Sequence, residues 1–323
     1  MTNLSKANPM NLTAKRLLFS ILFLCASLIT KGQLRVAITV DDVPNKTFFI
    51  KDKGEPVLLN TLDSLKIPVG IFINEGKLFQ EDSLIRRNHL DNWANRNYVT
   101  LGNHTFSHLR YSDVGFDAFT ADVKKGEIIS RGLARKNGKN LKYFRFPYND
   151  LGKDSLQHQA IKDFLKQNNY QLTPFTIESI DWMYNYVYEY YLSQNERQKA
   201  QETGQAYVAI TLAYFEYVEK LSQEKYGRDI RQIYMCHDNI LNAVYLPSIL
   251  EALRLKNYKF ISLKKALKDK VYQQKDYYTK KWGISWVYRW MDNAKERTSL
   301  MKAEPNTEAI ENLYNTILKE NKQ

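Results

Sequence analysis

Two histidines four residues apart, His104 and His108, follow an apolar run at residues 98–101. That spacing can bring two imidazoles to one side of the backbone, the usual way a protein grips a divalent cation. A second rare element, Asp41-Asp42, ends another apolar run at residues 34–40. Two carboxylates and two imidazoles at strand ends supply a facial metal site with one acid left over to act as a base. Three further apolar runs also end in reactive residues. Residues 141–146 lead into Arg145-Phe146-Pro147-Tyr148, residues 171–177 into Asp181-Trp182, and residues 232–236 into His237-Asp238.

Seven strand-like runs are expected, at residues 34–40, 69–73, 98–101, 141–146, 171–177, 232–236 and 259–263. Helix-like stretches separate them, at 57–65, 82–95, 116–135, 155–168, 187–224 (long enough for two helices) and 247–256. Strands alternating with helices imply parallel pairing through crossovers. The expected fold is α/β: a distorted (β/α)7 barrel of parallel strands over residues 34–270, with a C-terminal helical extension over 271–323. In such barrels reactive residues gather at the C-terminal ends of the strands. Five of the seven runs deliver them to that rim, and the other two end blandly. Trp282, Trp286 and Trp290 recur every fourth residue, which predicts three indoles on one helical face. That face is expected to pack on the barrel, with a sugar-binding or partner surface as the alternative. His89 and His158 fall in helix-like stretches without companions and are expected at the surface.

These residues, in this order, resemble the five motifs of the polysaccharide deacetylases of carbohydrate esterase family 4. Thr39-Val40-Asp41-Asp42 resembles the family's Thr-Phe-Asp-Asp, and His104-Thr105-Phe106-Ser107-His108 its His-Ser/Thr-x-x-His. Arg145-Phe146-Pro147-Tyr148 resembles Arg-x-Pro-Tyr, Ser179-Ile180-Asp181-Trp182 the end of Asp-x-x-Asp-Trp, and Ile233-Tyr234-Met235-Cys236-His237 a fifth motif ending in histidine. The resemblance runs from about residue 35 to 263. It implies that Asp42, His104 and His108 bind a divalent metal, zinc first, with cobalt or nickel as alternatives. It implies Asp41 as general base, Arg145 as its partner, and His237 as general acid oriented by Asp181. Tyr148 and Trp182 would wall the acetyl pocket, with the Tyr148 backbone N–H facing the oxyanion. Three departures bear on loop shape. The glycine usual after the paired aspartates is Val43, the first acid of the fourth motif is Glu178, and the second strand ends in Asn74-Glu75-Gly76.

The rest of the chain suits an exported enzyme. Lys15 and Arg16 precede an apolar run at residues 17–29, about 13 residues long, where a membrane span needs roughly 20. Residues 1–33 therefore read as a signal peptide, with a retained anchor as the alternative and periplasmic or extracellular placement at the cell envelope as the consequence. Only Cys25 and Cys236 occur, so a chain that loses its signal has no internal disulfide to form. The 323 residues are 44% hydrophobic, enough for a large core without staples. The net charge is +12; losing Lys6, Lys15, Arg16 and Lys31 would leave +8, compatible with adherence to an anionic envelope. No basic run is interleaved with aromatics, which argues against nucleic acid as a partner. The expected activity is metal-dependent hydrolysis of acetyl groups, N-acetyl first, on a polysaccharide such as peptidoglycan or a chitin-like glycan. A small amide or imide hydrolase of the same superfamily and a catalytically silent glycan-binding barrel are the alternatives, and the oligomeric state is left open.

Overall fold

The computed structural model describes residues 33–45 and 57–321. The expected signal at 1–33 lies outside the described residues apart from Gln33. Eight strands form one parallel sheet: β1 (Arg35–Val43), β2 (Val69–Ile73), β3 (Val99–Asn103), β4 (Tyr143–Phe144), β5 (Gln171–Leu172), β6 (Ile177–Glu178), β7 (Arg231–His237) and β8 (Lys259–Phe260). Their order is β5-β4-β3-β2-β1-β7-β6, with β8 paired to Arg35 and Val36 at the start of β1. The sheet curls into a distorted barrel, with helices filling the crossovers.

β1 is the central strand, and its nine residues are almost all buried. Burial on both faces explains why it reads as a near-continuous apolar run. Its two faces still differ. Val36, Ile38 and Val40 join the large core beneath the helices. Ala37 packs inside the barrel with Phe72, Tyr143, Ile233 and Ile261. Side chains two apart share a face, so Ala37, Thr39 and Asp41 climb the interior wall. On the neighbouring β7, Ile233, Met235 and His237 climb it likewise, and Asp41 pairs with His237 in register.

The expected strand boundaries shift in informative ways. The run at 171–177 is two strands, because Pro174 has no N–H to give a ladder. β5 pairs β4 and β6 pairs β7, and β5 and β6 form opposite ends of the sheet path. The short link between them closes the wall covalently. Thr173 N–H donates to Phe144 O and Thr176 N–H to Ile233 O, at 2.8 and 2.9 Å. β1 runs three residues past its apolar stretch, so Asp41 and Asp42 lie within the strand. Between Val40 and Val43 its register against β2 slips, three steps on β1 facing two on β2. Such irregularities re-aim side chains beside active sites.

The stretch at 116–135 is two helices, Phe116–Lys125 and Ile128–Lys136, parted at Gly126. A Cβ there would lie 2.4 Å from the Thr105 carbonyl carbon, so only glycine lets the break press on the loop bearing both histidines. The stretch at 187–224 is two helices, Asp181–Ser193 and Arg197–Tyr226. The second buries Ala200, Gly204, Tyr207, Thr211, Tyr214, Phe215, Val218 and Ser222, an apolar stripe at helical spacing. Past β8 the chain forms the single turn Trp286–Arg289, then helices Ala294–Lys302 and Glu308–Glu320. Trp286 and Trp290 are buried there. Trp282 precedes the turn in irregular chain and is exposed, so the three indoles do not share a helical face. No helix among the described residues is long and apolar enough to cross a membrane.

Candidate active site

The rim of the barrel brings Asp42, His104 and His108 together, with one potential ligand atom from each lying within 4.8 Å of the others. Asp42 Oδ1 stands 3.7 Å from His104 Nε2 and 3.4 Å from His108 Nε2. That oxygen is buried and has no hydrogen-bond partner among the described residues. His104 Nδ1 lies 2.8 Å from the Arg145 carbonyl, so that nitrogen carries the proton and Nε2 keeps its lone pair. Burial pushes His104 and His108 down to about 4 each, so both are neutral at pH 7, the form that ligates. Burial opposes the Asp42 carboxylate, but Lys77 and the imidazoles outweigh it and hold its pKa well below the usual range. A neutral pair of imidazoles facing an ionised, unsatisfied oxygen fits a divalent cation.

Backbone geometry concentrates here. Asp42, Thr105, His108, Tyr148 and Ile180 all have φ between 46° and 67°, a region non-glycine residues seldom enter and which recurs at functional sites. The missing glycine after the aspartates is explained: Asp42 itself takes φ 64°, while Val43 stays buried in β1.

Asp41 faces inward beside this cluster. Its Oδ1 pairs with Arg145 Nη1 at 3.2 Å. The same Nη1 donates to Thr39 Oγ1 at 3.0 Å, and the guanidinium lies 4.4 Å from the Phe72 ring centre. Burial raises the Asp41 pKa above its ordinary value, more than Arg145 and His237 lower it. The carboxylate is thus more basic than a solvated one yet held in place.

On the opposite side His237 Nδ1 meets Asp181 Oδ1 at 2.7 Å, and the His237 backbone N–H donates to Oδ2 at 2.8 Å. Asn239 and Asn242 Nδ2 donate to the same Oδ2 at 3.1 and 2.6 Å. Burial disfavours the charged imidazole, but Asp181, with Asp42 and Asp41, outweighs it and raises His237 to about 10. A buried chain supports the carboxylate from behind. Tyr207 Oη donates to Asn242 Oδ1 at 2.6 Å and meets Tyr234 Oη at 2.8 Å. Glu178 does not bind His237. Its Oε1 accepts the Ile180 N–H at 2.8 Å, and burial, then Asp181, raises it to about 7.

Asp41, Asp42, His104, His108, Tyr148, Trp182 and His237 line one cleft of about 640 Å³, within the roughly 300–1,000 Å³ usual for ligand clefts. Tyr148 (49% exposed) and Trp182 (45% exposed) form parts of its wall. The Tyr148 ring packs edge-on to His108 at 4.7 Å, and Trp182 packs edge-on to Tyr314 of the C-terminal helix at 5.5 Å.

Sequence reasoning missed several neighbours. Lys77 Nζ stands 3.4 Å from Asp42 Oδ2 and donates to the Asp42 carbonyl at 3.0 Å. The end of β2 is therefore not bland; a lysine in the turn after Asn74-Glu75-Gly76 was its only signal. Asn239 and Asn242 precede the helix expected at 247–256, and nothing in their spacing announces Asp181. His89 and His158 are buried, contrary to expectation. His158 Nε2 lies 3.0 Å from the Gly152 carbonyl, a local partner that lets an imidazole sit inside.

Comparison with known proteins agrees with the motifs. Residues 29–162 match the polysaccharide deacetylase family model. The chain is 25% identical over 151 residues to a peptidoglycan-N-acetylglucosamine deacetylase of Bacillus cereus, a match spanning 47% of this chain and 47% of that protein, about half the relative's length. Among solved structures it is similar to a polysaccharide deacetylase from Bacillus cereus (20% identity, 71% of this chain and 91% of that chain, TM-score 0.46). It is also similar to a family 4 carbohydrate esterase pseudoenzyme from Bacillus anthracis (13% identity, 73% and 66%, TM-score 0.45). Over residues 29–162, then, the chain is similar to the polysaccharide deacetylase family.

Proposed function

We propose that the protein is an exported, divalent-metal-dependent deacetylase that removes acetyl groups, N-acetyl first, from a glycan such as peptidoglycan or a chitin-like polymer. One observation carries the reading: a cluster able to hold a cation lies in the same cleft as a buried carboxylate outside the cluster, Asp41, and a protonated imidazole, His237. Asp42, His104 and His108 would hold the cation, zinc first. Such an ion acidifies water and polarises an acyl oxygen.

The chain's own residues do the rest. Asp41, kept basic by burial and aimed by Arg145, takes a proton from the attacking water. The Tyr148 N–H faces the oxygen on which charge develops, a contribution of about 3 kcal/mol per donor in comparable sites. His237, charged at neutral pH through Asp181, gives its proton to the departing nitrogen. The carbonyl carbon gains the water oxygen, the C–N bond breaks, and acetate and a free amine leave. Tyr148 and Trp182 shield the acetyl group from bulk water. Residues 1–33 support export, and the basic chain suits an anionic envelope.

The test is acetate release from chitooligosaccharide, peptidoglycan and acetylxylan by the zinc-loaded protein. Asp41→Asn should lower release about 10²–10⁴-fold with metal content unchanged. Release that survives the substitution rules out Asp41 as the base. Tight glycan retention without release from any polymer would favour a silent binding barrel.

A further inference from the structure

Trp282 is 62% exposed, yet it is not a stray surface aromatic. It lines the same cleft as the cation cluster, together with Gly283, Arg110, Tyr148 and Asn149. Its companions Trp286 and Trp290 are buried, so exposure is particular to this indole. The segment carrying it is firmly anchored. Gly283 presses on the Tyr148 loop so closely that a Cβ would lie 2.2 Å from the Tyr148 carbonyl oxygen. Ser285 Oγ donates to Thr176 O at 2.8 Å and Trp286 N–H to Phe175 O at 3.0 Å, tying the segment to the link between β5 and β6. Lys281 pairs with Asp113 at 2.6 Å, its ammonium 5.7 Å from the Trp282 ring centre.

Arg110 fixes the indole relative to the acetyl pocket. Its guanidinium carbon lies 4.0 Å from the Tyr148 ring centre and 5.3 Å from that of Trp282. Its acidic neighbours, Asp113 and Asp150, stand at 3.7 Å, beyond good hydrogen-bonding distance. The guanidinium thus brings several N–H donors to the cleft edge beside a flat apolar face. A pyranose ring matches that pair: one face of C–H groups suits the electron-rich indole, and its rim of hydroxyl and acetamido oxygens suits a donor fork. A rigidly mounted aromatic gives this contact at small entropic cost.

We propose that Trp282 and Arg110 form a stacking subsite for a neighbouring sugar of the glycan, adjoining the residue whose acetyl group reacts. The subsite rests on the deacetylase reading above and narrows its substrate to a chain of several sugars rather than a single one. The C-terminal extension, beyond the residues matched by the family model, supplies its indole, and Arg110 comes from within them.

The experiment is calorimetric binding of N-acetylglucosamine dimer and tetramer to the zinc-loaded protein in an Asp41→Asn background, which stops turnover. Adding Trp282→Ala should weaken the tetramer about tenfold, the size of an aromatic contact of about 1.4 kcal/mol, and narrow the preference for tetramer over dimer. Trp282→Tyr should restore most of it, which loss of a mere structural prop would not. Tetramer affinity and preference unchanged in Trp282→Ala, with the parent binding normally, overturns the subsite alone. A parent that binds neither oligomer overturns the N-acetylglucosamine reading and the subsite with it.

Discussion

Replacing Asp181 by Asn tests the physical core of the site without needing substrate. In the parent, burial and the neighbouring carboxylates leave His237 with a pKa near 10 in place of 6.5. At about 1.36 kcal/mol per pH unit, that corresponds to on the order of 5 kcal/mol as an upper bound. The ring is 22% exposed, so solvent screening trims the figure to roughly 2–5 kcal/mol. The sign follows from linkage. A histidine whose folded pKa is raised stabilises the fold fully below pH 6.5, and the benefit drains away as pH climbs toward 10. Asp181 is lowered, because its hydrogen bonds and His237 outweigh burial, so its share disappears as pH falls through the ordinary carboxylate range. The pair therefore stabilises most between about pH 4 and 6.5. Urea unfolding of the EDTA-treated parent and Asp181→Asn, from pH 5 to 9.5, reads the difference directly. It should be largest at pH 5–6.5 and shrink by up to about 1.4 kcal/mol per pH unit above that. In the variant, NMR titration should return His237 to 6.5 or below. A stability difference flat with pH, or one that grows toward alkaline pH, refutes the reasoning.

His104→Ala should drop bound metal from about one ion per chain to a small fraction in elemental analysis, since three ligands suffice for a zinc site and two seldom do; retained stoichiometric metal overturns the assigned ligands. Gly283→Ala forces a Cβ to within 2.2 Å of the Tyr148 carbonyl oxygen and 2.5 Å of Asn149 Cβ, an overpacking cost of about 1–3 kcal/mol, so calorimetric Tm should fall by several degrees. An unchanged Tm would mean the segment bearing Trp282 is not pressed onto the loop.

What could be read from residue order was whatever runs along a single strand. β1, β2, β3 and β7 announce themselves as buried apolar runs, and Asp41, Asp42, His104, His108 and His237 lie at or just past their ends. β4, β5, β6 and β8 are two residues long, so the expected runs at 141–146, 171–177 and 259–263 marked their places but not their bounds, and Pro174 alone hints that one apolar run is two strands. Groups that approach a reactive residue from elsewhere in the fold leave no pattern. Asn242 reaches Asp181 across 61 residues of chain and Lys77 reaches Asp42 across 35, contacts that only the crossovers create. Burial of His158 depended on a backbone carbonyl six residues back, and hydropathy cannot see a partner. Trp282 has helical spacing from its companions, but the chain reaches it before the helical turn begins.

The two halves of the wall are unequally laced. β1 shares seven register pairs with β7, whereas β3–β4 and β4–β5 share two each. Local opening is cheapest where ladders are shortest. The cation cluster draws Asp42 from the heavily stitched side, while Tyr148 hangs from the lightly stitched one. Asp42 is thereby mounted on the stiff flank and Tyr148 on the pliant one, and the Arg145 carbonyl, 2.8 Å from His104 Nδ1, is the tie through which any yielding at β4 would be felt by the imidazoles.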